Sequence, residues 1–282
     1  EEFLLYHIVA DIEDQFRELW GVGPALELAT IRTNMFAGAV LSLPQIISQE
    51  IGFYEEQALT VENVNVVSGV AATAALISGD VDVMINGPEY LVLARGQGQD
   101  LVSVGAVYSS GTAAIVVRSD IDRPNADKPY PANAADLEGL TIGVTARGAA
   151  SEFYIRAAAM DAGIDPDSIT YVATGGIGTT MAALQAKEID GWLGFEPGIS
   201  ICVHATELCD VIADFREGVG PSKIVDSNPA VIITTQSYLD DNLDVADRFV
   251  RALGDAIDWM EDPANTAALE ALVAENLGGV DG

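Results

Sequence analysis

Two segments 108 residues apart spell the same supersecondary unit. "SGVAATAALISGDVDVMINGPE" runs from Ser68 to Glu89, and "GIGTTMAALQAKEIDGWLGFEP" runs from Gly176 to Pro197. Ala74-Ala75-Leu76 falls on Ala182-Ala183-Leu184, and Asp80-Val81-Asp82 falls on Glu188-Ile189-Asp190. In both copies a small-residue turn opens a helix, an acidic turn ends it, and a strand follows. Each strand closes on a proline and glutamate pair, Pro88-Glu89 or Glu196-Pro197. A repeat of this length reads as one supersecondary unit used twice, so two equivalent α/β lobes are expected.

The surrounding chain carries the same alternation. Short apolar runs such as "ELATIRTN", "VENVNVV", "VDVMIN", "LVSVGAVYS", "AAIVVRS", "LTIGVT", "ITYVAT", "IDGWLGF", "CDVIADF" and "AVIITT" read as strands. Helical patterns separate most of them, and the chain ends in "NLDVADRFVRALGDAIDWMED" and "NTAALEALVAENLG". The Pro-, Asn- and Asp-rich "DIDRPNADKPYPANAADL" reads as a loop. Alternation of this kind predicts an α/β fold in which each lobe is a mostly parallel sheet flanked by helices. Ahead of it, Leu5, Ile8, Val9, Ile12, Phe16, Leu19 and Trp20 share one helical stripe. Residues 1–24 are therefore read as a separate amphipathic helix, ended near Gly21, Gly23 and Pro24.

The chain has 282 residues, enough for about two lobes, and 49% are hydrophobic. No apolar run is long enough for a membrane-spanning helix. Acids outnumber bases 43 to 13, for a net charge of -30. That balance argues against nucleic acid as a partner, because phosphate contacts need basic patches. It also implies strong self-repulsion, which molar salt screens. The expectation is a protein from a halophile. The first residues are acidic where a signal peptide needs a basic start, and the chain reads as a processed form or a fragment. Cys202 and Cys209 flank His204, too few ligands for a metal site. They read as two buried free thiols, with a disulfide as the other reading. No metal and no cofactor is expected.

Ligands of open α/β sheets bind beyond the carboxyl ends of the strands, where helix starts offer free N–H groups. "GVTARGAASEF" is such a strand, turn and helix start. Gly143 and Gly148 have P-loop spacing, but Ala149-Ala150 stand where Lys and a hydroxyl are needed, so nucleotide hydrolysis is rejected. A small anion on the helix start is the reading kept, with Ser151 as hydroxyl donor and Arg147 as fork donor. The alternative is a merely structural turn with Arg147 on the surface. No nucleophile or metalloprotease signature appears, and catalysis is not expected. Glu89 and Glu196 read as matched cleft positions.

These residues together resemble a known family. "IISQEIGFYEEQALTVE", "SGDVDV", "NGPE", "LEGLTIGVTARGAASEF", "AGIDPDSITYV" and "WLGFEP" follow the order seen in substrate-binding proteins of ABC importers. The subgroup is the nitrate, sulfonate and taurine type, related to the thiamine-pyrimidine precursor binders. The resemblance runs from about Glu27 to Ala274. It implies a two-lobed type II periplasmic-binding fold, with lobe one built from 25–114 and 229–282 and lobe two from 115–228. The chain would cross near Ser109 to Thr112 and near Asn228 to Val231.

Carried over by position, Phe36, Ala37, Ser68, Asn86, Gly87, Pro88 and Glu89 would line the cleft from lobe one. Thr145, Arg147, Ala149, Ala150, Ser151, Gly175, Gly176, Glu196 and Pro197 would line it from lobe two. The sequence departs from the family pattern at "TNMFAGAVLSLP", which lacks a polar or aromatic side chain near Ala39. It departs again at Phe195, where a tryptophan is usual; Trp192 is expected to pack nearby. The implied partners are a small-molecule ligand and a membrane ABC permease, with the receptor monomeric, extracytoplasmic and anchored in its full-length form. Helix starts and Arg147 favour an anionic group, while Glu89 and Glu196 favour an amine-like edge. A sulfonate, taurine-like or pyrimidine ligand is expected. The competing readings are a ligand-sensing domain of a regulator and a thiamine-pyrimidine precursor enzyme on the same fold.

Overall fold

A computed structural model describes residues 26–108, 111–227 and 229–277. The expected N-terminal helix lies outside these residues, as do Ser109, Ser110 and Asn228 in the expected crossings.

The chain begins with β1 (Ala29–Met35), α1 (Leu43–Ile51) and β2 (Leu59–Asn65). It continues with α2 (Gly69–Ser78), β3 (Val83–Asn86), α3 (Pro88–Gly96), β4 (Leu101–Ala106) and β5 (Ala113–Arg118). After the long loop come β6 (Thr141–Val144), α4 (Ala150–Asp161), β7 (Thr170–Ala173), α5 (Ile177–Gln185), β8 (Gly191–Phe195) and β9 (Cys209–Asp214). The chain returns through β10 (Val231–Thr235), α6 (Gln236–Glu261) and α7 (Thr266–Asn276). None of the described helices is long and apolar enough to cross a membrane.

The strands form two five-stranded sheets, ordered β2-β1-β3-β10-β4 and β7-β6-β8-β5-β9. The fourth strand runs antiparallel to its neighbours in both, β10 in the first sheet and β5 in the second. Those are the strands beside the two crossings, so each sheet recruits its reversed strand where the chain enters from the other lobe. The remaining strands of each sheet point one way, which keeps the sheets mostly parallel. The fold is a two-lobed α/β fold of the type II periplasmic-binding kind.

Strand sequence follows position in the sheet. "AAIVVR" of β5 is buried at every residue, as a central strand covered on both faces must be. Ile115 and Val117 pack with Ile142, Ile155 and Leu193 on one face. Ala114 and Val116 pack with Leu184, Ile189 and Trp192 on the other. In the first sheet Ile31, Val83, Ile85 and Ile232 meet Phe249 and Leu253 of α6. Met84 and Ile233 meet Ala72, Leu76 and Leu101 on the opposite side.

The repeated acidic turn has a structural task. Asp82 accepts the backbone N–H of Arg32 on β1 at 2.8 Å, and repeat-related Asp190 accepts that of Thr141 on β6 at 2.9 Å. Each also takes an arginine, Arg32 or Arg118. The repeat therefore ties helix, turn and first strand together in the same way in both lobes.

Three local expectations are corrected. Cys202 and Cys209 are joined in a disulfide, not free thiols. A five-residue π segment, Ile201–Ala205, turns the chain back so that Leu208 N donates to Cys202 O at 2.9 Å, which sets the two Cα atoms 5.3 Å apart. That segment also replaces most of the helix expected over "GISICVHATEL". The long C-terminal helix begins at Gln236, six residues before the periodic pattern, because Thr235 caps it by accepting from Tyr238 N. The backbone leaves helical geometry at Asn242, where the pattern starts.

Candidate functional site

A cavity of ≈ 240 Å³ lies between the lobes and is lined from both. Lobe one contributes the residues beyond the ends of three strands: Phe36 and Ala37 after β1, Val66 to Gly69 after β2, and Gly87, Glu89 and Tyr90 after β3. Lobe two contributes Thr145 after β6, then Ala150, Ser151 and Tyr154 on α4, and Gly175 to Ile177 at the start of α5. Trp192, Phe195 and Phe215 close that side. Gly111 to Ala113 and Pro229 from the two crossings complete the wall. Parallel strands that end together leave this crevice at their carboxyl ends.

Both lobes hold the first strand end alike. Ser42 Oγ accepts the N–H of Phe36 at 2.9 Å, and Ser151 Oγ accepts that of Thr145 at 3.0 Å. Both serines are buried. Ser68 caps α2, its Oγ accepting from Ala71 N at 3.2 Å. Asn86 donates Nδ2 to Gly69 O at 2.9 Å and accepts from Gly87 N at 3.0 Å, so its side chain is used in shaping the turn. A β-carbon at Gly69 would strike the Tyr90 ring and Asn86; glycine is required there for the close approach.

The start of α4 is filled from within the protein. Glu152, buried at the third helical position, accepts from Gly148 N at 2.9 Å, from Arg147 Nε at 2.8 Å and from Arg156 Nε at 3.0 Å. This is capping-box logic, in which a carboxylate inside the first turn reaches back to orphan N–H groups. Burial alone would raise the Glu152 carboxyl. The hydrogen bonds from Arg147, Gly148 and Arg156 outweigh it and bring the carboxyl down to about 2. The next N–H, that of Ala150, donates to the Tyr90 hydroxyl at 2.8 Å, from the other lobe. A second bond, Val40 N to Glu196 O at 3.1 Å, also joins the lobes.

Most of the residues expected in the cleft surround one cavity: Phe36, Ala37, Ser68, Asn86, Gly87, Glu89, Thr145, Ala150, Ser151, Gly175 and Gly176. Five do not line it. Arg147 turns outward onto Glu152 and over the Tyr171 ring, 5.6 Å from its centroid. Glu196 is claimed by Arg216 and by Ser200, whose N and Oγ both donate at 3.1 Å. Ala149 is fully buried behind the turn, and Pro88 and Pro197 start helices beside the wall. Sequence reasoning missed Tyr90, Tyr154 and Phe215. Tyr90 follows Glu89, and Tyr154 lies one helical turn beyond Ser151, so helical spacing from an expected site residue could have found it.

Among the described residues, Glu89 is the one charged side chain lining the cavity, and no Lys, Arg or His lines it. Burial raises its carboxyl, opposed in part by its own helix-start N–H and by the Tyr154 hydroxyl. Its Oε1 is buried without a hydrogen-bond partner among the described residues. The Tyr90 hydroxyl is pushed up to about 12 by burial, and Tyr154 is also raised by burial, so both stay neutral.

Several solved structures share this fold at low identity. A protein of Bordetella bronchiseptica RB50 is 21% identical, with a TM-score of 0.77 over 91% of this chain and 80% of that one. An alkanesulfonate-binding protein of Xanthomonas axonopodis pv. citri, bound to MOPS, is 19% identical, with a TM-score of 0.72 over 90% and 81%. A periplasmic nitrate-binding protein of Synechocystis PCC 6803 is 15% identical, with a TM-score of 0.71 over 90% and 68%. No curated protein matches the chain. A family model described as NMT1/THI5 like covers residues 42–266, most of the length, and takes in the cavity lining except Phe36, Ala37, Ala39 and Leu41. The chain belongs to the NMT1/THI5-like family.

Proposed function

We propose that the protein is an extracytoplasmic solute receptor that closes its two lobes over a small organic molecule and delivers it to an ABC permease. The observation that carries this reading is the cavity built from the strand ends of both lobes, with residues of both chain crossings in its wall. A two-lobed clamp hinged on such crossings closes when a ligand contacts both sides. The reading takes the lobe boundaries that the family resemblance implies, 25–114 with 229–282 against 115–228. Structural neighbours that bind an alkanesulfonate and nitrate support the receptor class. The acidic surface fits work in high salt. The reading does not use a catalytic group.

Trp192 lines the cavity and reports on its occupancy. In molar salt, titration with the true solute should change tryptophan fluorescence saturably and shrink the radius of gyration in small-angle scattering. A solute that binds tightly with no change in either measurement would sink the clamp reading.

A further inference from the structure

We infer that two hydrogen bonds between the lobes act as a paired clasp that biases the cleft toward closure before a solute arrives. Ala150 N donates to the Tyr90 hydroxyl at 2.8 Å, and Val40 N donates to Glu196 O at 3.1 Å. This deepens the receptor reading and rests on it, because a clasp has a task only if the lobes move. The solute then supplies part of the closing free energy, and the chain supplies the rest.

The first bond uses a group that a helix start leaves over. Ala150 is the first residue of α4, so its N–H has no acceptor inside the helix. The acceptor comes from lobe one, where Tyr90 is buried and packs with Ala72, Leu76 and Met84. Ala150 packs against that same cluster, so apolar contact crosses the cleft at the same point. Gly69 leaves room for the ring, since a β-carbon there would strike Tyr90. On the lobe-two side Ser151 holds Thr145 and Glu152 holds Gly148, which fixes the turn that carries the N–H.

The second bond is braced at both ends. Val40 O accepts from the Tyr108 hydroxyl of lobe one at 2.7 Å. Across the cleft the Glu196 side chain is held by Arg216 and Ser200, which steadies the carbonyl that receives Val40. Ala39 and Leu41, on either side of Val40, line the cavity. Donors and acceptors already fixed in their own lobes lose little freedom on meeting. One neutral bond of this kind shifts an equilibrium by about 2- to 10-fold. Two that form only when the lobes meet act on the same open–closed balance. Neither joins formal charges, so salt that screens an acidic surface leaves both in place.

The test needs no solute and reads each bond through the other. The full chain, dialysed free of small molecules and held in molar salt, is compared with Tyr90→Phe and Val40→Pro. Phenylalanine keeps the ring and removes the acceptor. Proline removes the donor at a position that tolerates it, because Val40 opens a short 3₁₀ helix after an extended Ala39. Site-resolved amide exchange is read at Val40 in Tyr90→Phe and at Ala150 in Val40→Pro. Each amide should exchange about 2- to 10-fold faster than in the wild type. The double variant should have a larger radius of gyration than the wild type in small-angle scattering. Tyr54→Phe removes a buried lobe-one hydroxyl that has no partner among the described residues, and it should move neither amide. Wild-type exchange at each amide when the other bond is broken would overturn the clasp. So would a double variant no larger than the wild type, or an equal acceleration in Tyr54→Phe. If Val40→Pro fails to fold, the Val40 amide in Tyr90→Phe decides alone. Each of these failures leaves the receptor reading standing, since that reading falls only in the solute titration.

Discussion

Glu89 and Glu196 follow equivalent strands of the two lobes, yet they meet opposite surroundings. Glu89 lies on the cavity wall with no basic residue among the described lining, and burial raises its carboxyl. Glu196 lies off the wall, paired with Arg216 and held by Ser200. The lobes agree elsewhere. Ser42 and Ser151 hold matching strand ends, and Asp82 and Asp190 tie matching turns. The shared contacts build the lobes, and the unshared ones set the charge of the cavity wall. A duplicated unit can thus keep its scaffold while one copy leaves its carboxylate on the cavity wall and the other pairs it with an arginine.

The helix starts sharpen this contrast. If Glu152 serves as the internal anion of α4, Glu152→Gln should have the largest effect, a loss of about 2–3 kcal/mol in urea unfolding. The pH dependence follows from the same group. Its folded-state value is depressed, so its contribution is complete above the ordinary carboxylate range. It is lost as pH falls from 4.5 toward about 2. Wild-type stability should therefore fall more steeply across that window than that of Glu152→Gln. Equal slopes would show that Glu152 is not the anion filling the helix start.

Gly148 ranks next. Its φ of +74° lies in the left-handed region, with open space around the missing side chain. Gly148→Val should cost about 1–2 kcal/mol through backbone strain alone. Gly148→Asn should recover much of it, which a packing defect would not allow.

Arg147→Ala should lower stability by less than either change and leave ligand affinity unaltered, since the side chain faces Glu152 and Tyr171. A large loss of affinity at unchanged stability would return Arg147 to the cleft.

The smallest effect tests the opening contrast directly. Without ligand at neutral pH, Glu89→Gln should raise stability by about 0.5–1 kcal/mol, because it removes a partly buried charge whose Oε1 has no hydrogen-bond partner among the described residues. Glu196→Gln should lower it by a similar amount, because it breaks the pair with Arg216. Thermal melts showing the same sign for both would erase the distinction between the two lobes.

Much of the architecture was legible along the chain. The repeat located α2 with β3 and α5 with β8, and every strand read from apolar periodicity is present. Eleven of the expected cleft residues line one cavity, because strand ends and helix starts are local features and the fold rule says where they gather. Arg147 and Glu196 misled because residue type shows what a group can bind and not what has already bound it. The partner of Glu196 is 20 residues away on another strand end, and the Tyr90 bond to Ala150 spans 60 residues and both lobes. The disulfide depends on a π turn that has no periodic signature.

The sequence by itself determined the two-lobed α/β plan, the strand ends that meet at the cleft and the rejection of a P-loop at Gly148. The tertiary structure alone decided which polar groups remain open to a ligand. Periodicity and turn chemistry act over a few residues and can be read in order. Hydrogen-bond and charge satisfaction is settled between groups distant in sequence, only once the lobes are packed. On that basis "GVTARGAASEF" is a helix start filled by its own Glu152, and the cavity takes its charge from Glu89 across the cleft.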